Sequence, residues 1–186
     1  MIYVLTTLAG VGLGAASTYL LSRRQRTRRE SKPLPVRRIL LPFTGTQVSR
    51  RAMDAALRLA SVEDATLMPA FLARVPMQLN LDSPLPRQYE TGMPLLEAIE
   101  QRAHARGVPV DARVERGRSY RHALARLLER EHFERVIISA TNDPSVGLSG
   151  NDIIWVLQHA QAEVLILRPA PEDKRAVTAS EIAGHF

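Results

Sequence analysis

The residues best suited to hold a ligand lie in a short polar run before an apolar helical stretch. Gly147, Ser149, Gly150 and Asn151 immediately precede IIWVLQHA. Glycines let backbone N–H groups approach a phosphate, and the following helix adds the positive end of its dipole. Ser149 and Asn151 could add side-chain donors. Against this, Asp143 and Asp152 put negative charge beside the run. An ordinary strand-to-helix turn, with glycines serving backbone geometry, accounts for the same residues. Thr44-Gly45-Thr46 and Arg116-Gly117-Arg118 occupy comparable turns. Arg116 and Arg118 are the nearest cations, and read equally well as solvated turn residues.

Other chemistries are excluded. Gly147-Leu148-Ser149-Gly150-Asn151 is not the nucleophile elbow, because Asn151 stands where that motif needs a final glycine. There is no Walker A sequence. His104, His122, His132, His159 and His185 show no metal-ligand spacing. The absence of Cys removes disulfide scaffolds, zinc ribbons, iron–sulfur clusters and cysteine nucleophiles. The single Trp, Trp155, sits among Ile153, Ile154 and Leu157 and reads as core packing. No catalytic constellation, metal or resident cofactor is expected.

The elements that must position these residues alternate. RRILLPF (37–43), ATLMPAFLA (65–73), PVDARVE (109–115), ERVIISA (134–140) and AEVLILRP (162–169) read as strands. Between them, 49–62, 90–106, 119–132 and 151–160 have helical periodicity, with Ser119 and Asn151 as N-caps and Gly107 as a C-cap. Short, mostly unbroken apolar strands, of which 109–115 alternates with period two, interleave with helices and predict a Rossmann-like α/β domain: a five-stranded parallel sheet with helices on both faces. Ligands of such sheets bind beyond the carboxyl ends of the strands, where Phe43 to Thr46, Glu115 to Arg118 and Ala140 to Asp143 would lie. Residues 74–94, with four prolines and Met77, Leu79, Leu81 and Leu85, read as a long irregular connection that serves as a lid, contacts a partner or moves. Residues 170–186 show no sustained pattern and read as a loosely held tail.

The amino-terminal part is of another kind. Residues 1–22 carry no charged side chain, and 2–22 would make a helix about 30 Å long, enough to cross a bilayer core. The chain carries +6 overall, and 23–38 hold eight Arg and Lys against Glu30, so the rest is close to neutral. Positive charge after the apolar run predicts a single pass of the inner (plasma) membrane, with the amino terminus outside and the body cytoplasmic. A secretory signal needs its positive charge before the run, although Ala15 and Ser17 offer a small-residue pair. GVGLGA (10–15) fits a dinucleotide fingerprint but lacks the strand and acidic residue that should follow. Gly10 and Gly14 either pack against another helix or reflect how common glycine is in such spans. Arg23 to Arg29 suit anionic lipid headgroups. They lack the interleaved aromatics of an RNA-binding arm, and no nucleic-acid partner is expected. The expected organisation is a transmembrane helix (1–22), a basic linker (23–36), a body (37–169) and a tail (170–186).

The body resembles the universal stress protein family. RRILLPFTGTQVSRRAMDAALRLA looks like its opening strand and helix. RVERGRSYRHALARLLEREHFERVIISA resembles its third strand, turn, helix and fourth strand, and VLQHAQAEVLILRP its closing helix and strand. The resemblance implies an adenine-nucleotide-binding α/β fold and often a dimer along the last strand. By that pattern Thr44, Gly45, Thr46, Gly117, Arg118, Gly147, Ser149, Gly150 and Asn151 would line the nucleotide site, with ATP as its ligand. The pattern departs in two places. The family's first-loop Asp-Gly-Ser is here Thr44-Gly45-Thr46. Its long glycine loop is shortened to TNDPSVGLSGND, with Gly150-Asn151 where Gly-Ser is expected.

Two functions follow. In one, a membrane-anchored, non-catalytic subunit docks on or regulates a membrane protein complex from the cytoplasmic side. In the other, a membrane-tethered domain senses ATP or AMP. A nucleotide hydrolase is disfavoured, since neither a base nor a metal cluster is visible. The last strand, VLILR, could pair with a second copy or be covered by something else.

Overall fold

The computed structural model describes residues 37–140, 147–168 and 176–183. The sequence expectations for 1–36, including the transmembrane helix and the basic linker, lie outside them.

The described residues form, in order, β1 (Arg38–Phe43), β2 (Val48–Ser49), α1 (Arg50–Glu63), β3 (Thr66–Arg74), α2 (Pro86–His104), β4 (Arg113–Gly117), α3 (Tyr120–Arg130), β5 (Arg135–Ser139), α4 (Gly150–His159), β6 (Glu163–Leu167), β7 (Ala176–Val177) and α5 (Ala179–Ala183). Five strands form one parallel sheet in the order β4-β3-β1-β5-β6. β2 and β7 form a separate antiparallel pair. The predicted five-stranded parallel α/β architecture is therefore present. Among the described residues, no helix is long and apolar enough to cross a membrane.

Local chemistry sets the helix ends. Ser49, Ser119 and Ser149 cap α1, α3 and α4, each accepting from the N–H three residues on. α1 ends at Asp64 in the left-handed conformation. The apolar stripes of α1 and α2 (Ala52, Met53, Ala56 and Leu57; Leu95, Leu96 and Ile99) cover one face of the sheet. Those of α3 and α4 (Ala123, Leu124, Leu127, Ile153 and Val156) cover the other.

Two prolines shape the sheet. Arg38 O accepts from Glu134 N, so even-numbered positions of β1 turn their backbone groups toward β5. Pro42 falls on that side and has no N–H to give. The β1–β5 pairing accordingly stops at Leu40↔Val136, while β1–β3 continues to Phe43↔Phe71. Pro69 leaves a similar gap toward β4, between Leu67↔Val110 and Ala70↔Arg113.

Two expectations are corrected. The irregular connection is not 74–94, because α2 begins at Pro86. Proline at the first helical position costs nothing, since that N–H has no intrahelical partner. Pro94 lies inside α2 and is tolerated there. Nor is the tail loosely held throughout. Residues 176–183 form β7 and α5, and Val177 and Ile182 are buried in the core beneath α1 and α2.

Candidate functional site

The sheet order reverses direction between β1 and β5, and in such sheets a crevice opens there, beyond the carboxyl ends of the strands. Pro42 ends the ladder early, so β1 and β5 are not hydrogen-bonded at their carboxyl ends. Two contacts between described residues lie at this place. Thr44 is fully buried, and its Oγ1 donates to Gly147 O at 3.3 Å. Leu148, also buried, bridges Ala140 at the end of β5. Gly45 turns the chain after Thr44 with φ of 77°, a conformation that favours glycine. Thr46 is exposed.

At the start of α4, Ser149 Oγ donates to Asp152 Oδ2 at 2.5 Å and accepts from Asp152 N. Arg121 on α3 donates to Asp152 Oδ1 at 2.6 Å. Partial burial alone would raise the Asp152 pKa. The Ser149 hydroxyl and the Arg121 guanidinium outweigh it and hold the carboxyl below its ordinary range. Asn151 is exposed. A Cβ at Gly150 would meet nothing within 4 Å, so packing does not require glycine there.

Gly117 and Arg118 do not join this group. Gly117 ends β4, the edge strand two places from β1, and Arg118 follows it. Gly117 is needed for packing, since a Cβ there would sit 2.3 Å from Ala123 N at the start of α3. Arg118 is engaged rather than free for phosphate: its guanidinium donates to Pro76 O at 2.5 Å and Leu79 O at 2.7 Å. It thereby fixes the turn that leaves Met77 and Leu79 exposed. Arg116 lies 5.3 Å from the centre of the Tyr89 ring, in cation–π range. The site thus contains Thr44, Gly45, Gly147, Ser149 and Gly150, with Thr46 and Asn151 at its exposed margin.

One residue at the switch point was not among the expected site residues. Ser139, the last residue of β5, is only 5% exposed, and its Oγ has no hydrogen-bond partner among the described residues. Its place at the strand's carboxyl end was legible; the missing partner was not. Among the described residues, no three His, Asp or Glu side chains are grouped to hold a metal ion.

A second feature lies at the sheet edge. β6 is the terminal strand and carries EVLIL. Ile166 is 40% exposed, and Ile154 and Leu157 of the preceding helix α4 are 55% and 54% exposed. Trp155 is half-buried against the core and stacks on His159, with ring centres 4.5 Å apart.

This architecture defines the class: an α/β domain with the universal stress protein fold. The likeness to solved structures is direct. A universal stress protein family member from Burkholderia pseudomallei is 24% identical, over 70% of this chain and 94% of its own, with a TM-score of 0.53. A universal stress protein in complex with cAMP is 20% identical, over 70% and 96%, with a TM-score of 0.54. An Arabidopsis thaliana member with AMP bound is 14% identical, over 76% and 96%, also at 0.54. The sequence matches no family model and no curated protein.

Proposed function

We propose that this chain is a membrane-anchored, non-catalytic subunit of universal-stress-protein type, which docks on a membrane protein complex from the cytoplasmic side. The observation that carries docking is the apolar edge, where Ile154 and Leu157 on α4 and Ile166 on β6 are exposed at the end of the sheet. A terminal strand offers unpaired backbone groups, and clustered exposed apolar side chains mark contact surfaces. The bond from Thr44 to Gly147 and the bridge from Leu148 to Ala140 tie the loops beyond β1 and β5, which supports docking over ligand turnover. The apolar run at 2–22 and the arginines behind it supply the anchor and its orientation. Arg23–Arg29 would meet anionic headgroups.

The test is mass spectrometry of the full chain, tagged at native level and extracted in mild detergent, beside the Leu157→Lys/Ile166→Lys variant. A stoichiometric membrane-protein partner, lost in the variant, supports docking. Recovery of the chain alone contradicts it. A homodimer through the same edge would shift weight to a sensor.

The second reading is a membrane-tethered adenine-nucleotide sensor. Its specific support is Ser139, a buried hydroxyl at the carboxyl end of β5 without a partner among the described residues, together with the open space at Gly150. Two structural neighbours hold AMP or cAMP. Ser139, Ser149 and the first amides of α4 are the groups that would meet a phosphate. Saturable AMP binding by the full chain supports this reading. None at millimolar AMP contradicts it.

A further inference from the structure

We propose that residues 176–183 act as a latch, holding the β1–β5 crevice closed against an adenine nucleotide, and that the nucleotide and the docked latch exclude one another. This rests on the sensor reading above.

β6 ends at one edge of the sheet, yet β7 pairs beside the end of β1, with Val177 opposite Val48 and Ala176 opposite Ser49. Its partner β2 begins two residues after Thr46. The 44–49 segment is therefore fixed at both ends. Thr44 is tied across the crevice to Gly147, and Val48–Ser49 are tied to β7. Between β1 and β5 no ladder performs this task, because Pro42 has ended it. These two ties join the 44–49 segment to the residues before α4 on one side and to the tail on the other, while Ser49 also caps α1.

The latch is built to hold only when docked. Val177 and Ile182 are each 1% exposed and belong to the same core cluster as Val48, Leu95 and Leu96. Thr178 and Glu181 form a capping box variant: Thr178 N donates to Glu181 Oε2 at 2.9 Å, and Thr178 Oγ1 at 3.0 Å. A two-residue strand and a five-residue helix have no stability of their own in water. Neither belongs to the five-stranded sheet, so their release leaves that sheet whole. Such a unit opens far more often than the core beneath it.

Release removes the β2 pairing and uncovers Val48. The 44–49 segment then relaxes, the Thr44–Gly147 tie opens, and Ser139 becomes available to the ligand. The apparent affinity for a nucleotide is set by the fraction of molecules with the latch open. The coupling is reciprocal, so bound nucleotide must also loosen the latch.

The test uses AMP. Calorimetric titration compares the full chain, a chain ending at Arg168 and the Glu181→Ala variant, each checked for folding by circular dichroism. Hydrogen exchange follows the 177–182 amides with and without AMP. The proposal expects AMP to bind about tenfold or more tightly to the shortened chain, with Glu181→Ala between the two. It expects faster exchange at 177–182 when AMP is bound. Equal affinity in all three overturns the latch and leaves the sensor reading standing. No binding by any of them overturns both. If the shortened chain does not fold, Glu181→Ala and the exchange data decide: unchanged affinity with unchanged exchange overturns the latch.

Discussion

Thr44 Oγ1 donates to Gly147 O at 3.3 Å, across the place where a sheet of this order would receive a ligand. The two residues are 103 positions apart in sequence. They meet because Pro42 lets β1 part from β5, and because Leu148 bridges back to Ala140. The same arrangement gives both functional readings their starting point: the switch point is present in the fold, and the loops beside it are tied to each other.

Thr44→Val keeps the shape and removes the donor. Gly147 O then loses this donor in a buried setting, which costs about 1–3 kcal/mol. Denaturant unfolding should show that loss with an unchanged m-value. A change of a few tenths would contradict the assigned tie.

Two glycines should respond oppositely. Gly117→Ala forces a Cβ to within 2.3 Å of Ala123 N, a backbone atom that cannot move without shifting α3. A loss of about 3 kcal/mol or more is expected. Gly150→Ala meets nothing within 4 Å, and should be neutral or gain about 0.4–1 kcal/mol from the stiffer unfolded chain. Thermal unfolding of the two variants reads both signs.

Asp152 makes stability depend on acid. Its folded pKa lies below the ordinary 3.8, because the Ser149 and Arg121 contacts outweigh partial burial. A carboxylate with a depressed folded pKa stabilises fully above its unfolded pKa, and that contribution is lost as pH falls through the folded one. Asp152→Asn should therefore be less stable than the parent at pH 7, and the difference should shrink below about pH 4. Urea midpoints across that range measure it. A difference that grows in acid would contradict the assignment.

Much of the fold was legible because its signals are local and repeated. Four of the five sheet strands are apolar runs and β4 alternates with period two, while Ser119 precedes its helical stripe as expected and α4 is capped by Ser149 rather than Asn151. Thr178 and Glu181 carried the signature of a helix start in the tail, but a five-residue helix is too short to show periodicity. The first turns of α2 were hidden by their prolines, since the same residue that breaks a helix interior opens a helix well. At the site, loop positions could be assigned from topology alone. What each side chain contacts could not. The two carbonyls held by Arg118, the Thr44 tie and the unpartnered Ser139 hydroxyl all depend on where distant segments meet.

The docking surface itself gives the most direct test. The chain has no Cys, so Ile166→Cys places a single thiol on β6, and Val62→Cys places one on the exposed flank of α1. A short thiol-to-amine crosslinker is applied to each variant in native membranes, and the products are identified by mass spectrometry. The account predicts that Cys at 166 joins in high yield to one membrane protein, while Cys at 62 does not. Equal labelling from both positions, or none from 166, would contradict it.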